Sequence, residues 1–200
     1  MPTLKKPLTF IPNGYDAFFW KPILNHERPT GSFITVTGGL NFPFQQALKG
    51  IDLILETATH FPECQFTIVG VPRYVHINVR SKNVELLPPA TSENLKMLFS
   101  NHCYYLQLSM AEGFPNALCE AMLCGCTPIG SSVFSIPEII GENGYLLHHR
   151  DNNELKLLLQ KALDGYSISR GENAAKSIQE RYSIQRRKDE LTALCRQLMA

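Results

Sequence analysis

Ser109-Met110-Ala111-Glu112-Gly113-Phe114-Pro115-Asn116-Ala117-Leu118-Cys119-Glu120-Ala121-Met122-Leu123-Cys124-Gly125 is the stretch whose reading decides the fold of this chain. The apolar run Cys103–Leu108 before it has the composition of a buried strand, and apolar residues at helical spacing follow from Asn116 to Cys124, where Gly125 stops them. Strand, glycine-bearing loop and helix therefore succeed one another. Asn116 is the expected N-cap, and the first-turn amides of Asn116, Ala117 and Leu118 would then face a crevice and attract an anion. Glu120 sits one turn into the helix, where a carboxylate can accept two O–H bonds from a vicinal diol such as a ribose. Glu112 lies before the helix. On spacing alone, acidic residues that merely complement the helix dipole account for this pattern equally well.

Outward from this segment the same alternation continues. Ser32–Thr37 is a β-branched run stopped by Gly38-Gly39, and Leu48, Ile51, Leu55 and Ala58 then share one helical face. Strands are expected at 65–69, 84–87 and 127–130, and helices at 92–99, 152–163 and, from an N-cap at Ser183, over the stripe Ile184, Leu191, Cys195 and Leu198. Strands spaced by helices imply an α/β fold, a Rossmann-like parallel sheet with helices on both faces. Residues 1–200 read as a single domain: an extended lead-in over 1–31, a core over 32–165 and carboxyl-terminal helices over 166–200. In such a sheet ligands bind at the carboxyl ends of the strands, which singles out loops 38–49, 70–73, 87–91 and 109–116.

Composition narrows the function. Nineteen Lys+Arg against eighteen Asp+Glu leave a net charge of +1, so no global field favours nucleic acid or an anionic membrane. No stretch approaches the roughly 18 apolar residues of a membrane helix and no secretory region follows Met1, so a cytoplasmic location is expected. The six cysteines lack paired C-x-x-C spacing, which speaks for reduced, packed thiols and against a metal site. No G-x-G-x-x-G follows the first strand and no P-loop is present, which argues against a dehydrogenase and an NTPase.

The motifs, taken together, resemble one family. Glu112 and Glu120, separated by seven residues in E-G-F-P-N-A-L-C-E, resemble the E-x7-E motif of family 4 (group 1) glycosyltransferases. Ile11-Pro12-Asn13-Gly14-Tyr15-Asp16 resembles the entry into their second domain, Lys49-Gly50-Ile51-Asp52 their K-G-x-D, and Phe66–Gly70 the strand that follows. Ile136–Ile140 with Asn143–Leu146 resembles their G-x-P-E-I-I and N-G-x-L segment. The resemblance implies the carboxyl-terminal, donor-binding domain of a retaining GT-B enzyme whose substrate is a nucleotide diphosphate-sugar. Glu120 would hold the ribose hydroxyls, Glu112 with the backbone of Gly113 and Phe114 would face the sugar, and Lys49 would contact the diphosphate. Gly38, Gly39, Asn116, Ala117 and Leu118 would line the donor. GT-B enzymes supply cationic charge from protein, so no metal or other cofactor is expected, and no Asp-x-Asp triplet occurs.

One departure stands out. Gly38-Gly39-Leu40 occupies the position of the family's G-R-L, so the arginine that pairs with the lysine on the diphosphate is replaced by Gly39, and the loop to Lys49 is longer than usual. A charge-assisted phosphate contact contributes roughly 1.5–3 kcal/mol, and Arg73 is one candidate to replace it. The match begins at the family's interdomain linker, which implies an acceptor-holding amino-terminal domain or partner subunit outside these residues. Phe42 and Phe44 could cover the donor or meet that partner. The basic run Arg186-Arg187-Lys188 reads as a solvated helix face, with peripheral membrane contact as the alternative. Against the enzyme stands a second reading: a non-catalytic interaction module that keeps the fold without the arginine.

Overall fold

Side chains that point alternately to the two faces of continuously buried strands place two apolar layers on the two sides of one sheet. The computed structural model describes residues 9–23, 27–38, 40 and 42–199. Among them, β1 (Ser32–Val36), β2 (Gln65–Val69), β3 (Val84–Leu87), β4 (Tyr104–Gln107), β5 (Thr127–Ser131) and β6 (Tyr145–Leu147) form a parallel sheet in the order β3-β2-β1-β4-β5-β6. Phe33 on β1 stands beside Phe66 on β2 and Tyr104 on β4, and the three rings stack with centroids 4.9 Å apart. Their neighbours Ile34 and Tyr105 face the opposite layer. Burial on both faces explains why β1 and β4 read as continuous apolar runs.

One layer is closed by α2 (Ile51–Ala58) and α6 (Asn152–Asp164), the other by α3 (Ser92–Ser100), α4 (Asn116–Leu123), α5 (Ile136–Ile140) and α7 (Ile168–Arg181). Tyr104, inside the run read from the sequence as a buried strand, is buried and donates from its hydroxyl to the Ala162 carbonyl at 2.7 Å. A final helix, α8 (Ile184–Met199), begins with Ser183 Oγ accepting from the Arg186 amide, as its sequence indicates, yet buries none of its residues. Its apolar stripe faces outward: Ile184, Leu191 and Leu198 are all exposed.

Three differences from the sequence reading have local causes. The helical face through Leu48 and Ile51 belongs to two helices, α1 (Pro43–Leu48) and α2, because Gly50 between them adopts φ +72°. The lead-in is not a detached extended segment where it is described. Tyr15 and Trp20 are buried, Tyr15 donates its amide to the Tyr182 carbonyl at 2.8 Å, and Ile184 donates back to Tyr15. Residues 1–8 of that lead-in lie outside the described residues, as do Gly39 and Asn41. Finally, β6 is too short to show a period, so the sixth strand emerges only from its pairing with β5.

Candidate functional site

The chain leaves β1 towards β2 and β3, then returns to β4 on the other side of β1. At that reversal the loops after β1 and β4 leave the carboxyl ends of neighbouring strands, the usual ligand position in such sheets. Gly38, exposed with open space around its Cα, lies at the end of β1. The loop bearing Glu112 lies at the end of β4.

Gly50 holds the first part of the site together. A Cβ there would stand 2.3 Å from the Leu108 carbonyl oxygen, so only glycine lets the α1–α2 turn press against the end of β4. The Met110 amide donates to the Leu48 carbonyl at 2.8 Å across the same contact. Lys49, between them, is thereby delivered to the Glu112 loop, and its Nζ lies 2.8 Å from Glu112 Oε2 with both side chains about one-quarter exposed. Two residues 63 positions apart in sequence thus form an ion pair. A second pair, Arg150 with Asp52, closes over the same turn, where Arg150 also donates to the Ala47 carbonyl at 3.3 Å. Arg73 is exposed after β2 and makes no hydrogen bond or ion pair to this turn among the described residues.

The second part is the start of α4. Asn116 is not the N-cap: Pro115 occupies that position with extended backbone, and Asn116 is the first helical residue. Its Oδ1 is turned away from the helix amides because it accepts from the Tyr15 hydroxyl at 2.7 Å and from Asn13 Nδ2 at 2.8 Å. No side chain caps α4, which leaves its first amides open to an exogenous acceptor. Ala117 is half-buried and Leu118 fully buried, so Leu118 can offer only its backbone. Burial keeps the Tyr15 phenol protonated and hence a donor. Asn13 is held in turn by Arg187, which also donates to the Pro12 carbonyl at 3.3 Å. The basic run of α8 is thus partly engaged, since Arg186 also pairs with Glu190 at 2.7 Å.

Glu120 is the electrostatic anomaly. Desolvation by burial pushes its carboxyl up to about 7, and no hydrogen bond or ion pair compensates it among the described residues. An uncompensated, half-buried carboxylate behind an uncapped helix start is chemically an acceptor awaiting O–H donors. Phe114 packs its ring against Tyr182 at 5.3 Å and Tyr15 at 6.5 Å, so its side chain belongs to the core and only its backbone can face a ligand. Gly113 is exposed, and its carbonyl accepts from Ser135 Oγ at 2.6 Å. Phe42 and Phe44 stack on each other, exposed, at the start of α1.

Residues 34–164, more than half the chain, match the family described as glycosyl transferases group 1. The chain belongs to that family. Over 164 residues it is 25% identical to one subunit of the phosphatidylinositol N-acetylglucosaminyltransferase of Arabidopsis thaliana, covering 76% of this chain and 36% of that protein. Sucrose-phosphate synthase from Thermosynechococcus elongatus superposes with a TM-score of 0.79 at 21% identity, over 94% of this chain and 52% of that one. HepE of Anabaena, solved with UDP and glucose, gives 0.73 at 16% identity over 92% and 55%. The group 1 assignment and the GT-B fold read from the motifs therefore stand, and the chain spans about one-third of the curated relative it matches and about half of the solved enzymes.

Tyr15, Ser135 and Arg150 are not marked as site residues by the sequence. Tyr15 does fall within the Ile11–Asp16 motif, and that is its only signal. Arg150 has none, because its partners lie 98 and 103 residues away. Among the described residues no group of three or more His, Cys, Asp or Glu side chains could hold a metal ion, and no helix is long and apolar enough to cross a membrane.

Proposed function

We propose that this chain binds the nucleotide diphosphate-sugar donor of a retaining glycosyl transfer, with the acceptor held by an amino-terminal domain or partner subunit. The observation that carries this reading is Glu120, a carboxylate raised to about 7 and left without a partner behind the uncapped start of α4. Ribose hydroxyls donate to Glu120, and the amides of Asn116, Ala117 and Leu118 meet the diphosphate. Lys49 exchanges Glu112 for phosphate oxygen as the donor enters. Glu112, released, accepts from the sugar's hydroxyls beside the Gly113 and Phe114 backbone, while Gly38 lets the diphosphate approach the end of β1. Charge grows on the leaving diphosphate as the glycosidic bond breaks, and Lys49 with the helix amides balances it without a metal. Gly39 contributes no cation in this scheme. Arg150, tied to the Lys49 turn, is the guanidinium best placed to take over.

The Anabaena neighbour was solved with UDP and glucose, and the Arabidopsis relative is named for N-acetylglucosamine transfer, so UDP and its hexose conjugates are the first ligands to try. Titration calorimetry with UDP, GDP, ADP and their sugar conjugates tests the reading: one nucleotide series should bind, and Glu120→Gln should weaken it. Absence of binding across the panel would sink it. The missing arginine favours a second reading, a non-catalytic module. Transfer or donor hydrolysis after supplying an amino-terminal domain separates the two.

A further inference from the structure

Phe134 is the non-glycine residue with positive φ, +48°, among the described residues. That backbone region is disfavoured for a side chain bearing a Cβ, and such strain persists where surrounding structure imposes it and collects at ligand sites. A turn closed by the Ile136 amide on the Val133 carbonyl at 3.2 Å imposes it here, and it leaves the Phe134 ring 74% exposed, touching no other aromatic or cation among the described residues. Its position is informative. The loop after β5 is tied to the Glu112 loop by the 2.6 Å bond from Ser135 to the Gly113 carbonyl. Val133, one residue earlier, lines a small cavity with Ser109, Met110 and Arg150. Phe134 thus stands exposed next to the residue that holds the Gly113 carbonyl, the backbone that faces the sugar in the proposed donor complex.

We propose that Phe134 is a specificity-determining residue of the donor site, presenting its ring to a C–H face of the transferred sugar. This rests on the donor-site reading above. The negative face of the ring suits the weakly positive C–H groups of a pyranose, and a sugar offers such a face without needing a hydrogen-bond partner.

The test uses Phe134→Leu, Phe134→Gly and Phe134→Tyr, titrated with UDP, GDP and ADP first and then with their glucose, N-acetylglucosamine and mannose conjugates. In the Leu and Gly variants affinity for the bare nucleotide stays within about twofold, while the conjugate loses about three- to tenfold relative to it. Phe134→Tyr keeps the wild-type ratio. Phe134→Gly, freed of the strained φ, unfolds at no lower temperature than wild type. Equal losses for nucleotide and conjugate, an unchanged ratio, or an earlier unfolding of the Gly variant each overturn the proposal. The last would show that the ring packs in the fold. If no bare nucleotide binds wild type, the donor-site reading fails at the first step and this inference falls with it.

Discussion

Replacing Glu120 by glutamine should make the protein more stable at pH 8 and poorer at its task. Burial raises the Glu120 carboxyl from 4.5 to about 7, so the folded state prefers the protonated form. A group raised in this way contributes stability that is fully present below about 4.5 and is lost as pH rises through about 7. Desolvation of that size sets a ceiling of about 3.4 kcal/mol, and partial exposure of the side chain reduces the expected cost to about 1–2 kcal/mol. Glutamine has the same shape and cannot ionise. The variant should therefore match wild type near pH 4 and unfold about 3–6 °C later at pH 8. The neighbouring Tyr15, Tyr105 and Cys119 are all held protonated by burial, so none of them titrates in this window. Scanning calorimetry of both proteins at pH 4, 5, 6, 7 and 8 measures the difference directly. Binding must move the other way: Glu120→Gln loses about tenfold or more in nucleotide affinity, and removing the ribose hydroxyls costs wild type but barely affects the variant. A pH-independent loss of stability, with additive effects in that cycle, would mean that Glu120 only complements the helix dipole.

Other residues of the site and its supports carry their own expected outcomes. Lys49→Ala should weaken nucleoside diphosphates much more than nucleosides, whereas Glu112→Gln, by removing the partner 2.8 Å away, should raise affinity for bare UDP; calorimetry on both variants checks this, and equal losses for nucleoside and diphosphate in Lys49→Ala would show an effect through folding. Gly50→Ala should destabilise by about 2–4 kcal/mol in denaturant unfolding, because its Cβ meets the Leu108 carbonyl at a positive φ. Arg28 donates to the His102 carbonyl at 3.2 Å, the Gly125 carbonyl at 2.9 Å and the Cys124 carbonyl, the last two at the end of α4. Arg28→Met should therefore cost about 2–4 kcal/mol in the same assay while leaving nucleotide affinity unchanged.

What the amino-acid sequence determined by itself is local. Each apolar strand run and each helix with a clear period, the stop at Gly125, the helix start at Ser183 and the E-x7-E spacing were legible, because a doubly buried strand and a helix face are both written in residues near in sequence. So was the family, through motifs that keep their order along the chain. The tertiary structure decided everything that depends on which segments become neighbours. Strand order places the ends of β1 and β4 side by side, and only then does Lys49 reach Glu112. Asn116 looked like a cap because asparagine caps helices, but Tyr15 and Asn13, about a hundred residues earlier, claim its oxygen and leave the α4 amides open. The exposed stripe of α8 was equally invisible, since an amphipathic period shows that a face is apolar and not whether anything covers it. Glu120 combines both levels: its place one turn into a helix was readable, but its desolvation comes from the layers packed around that helix, which no spacing reports.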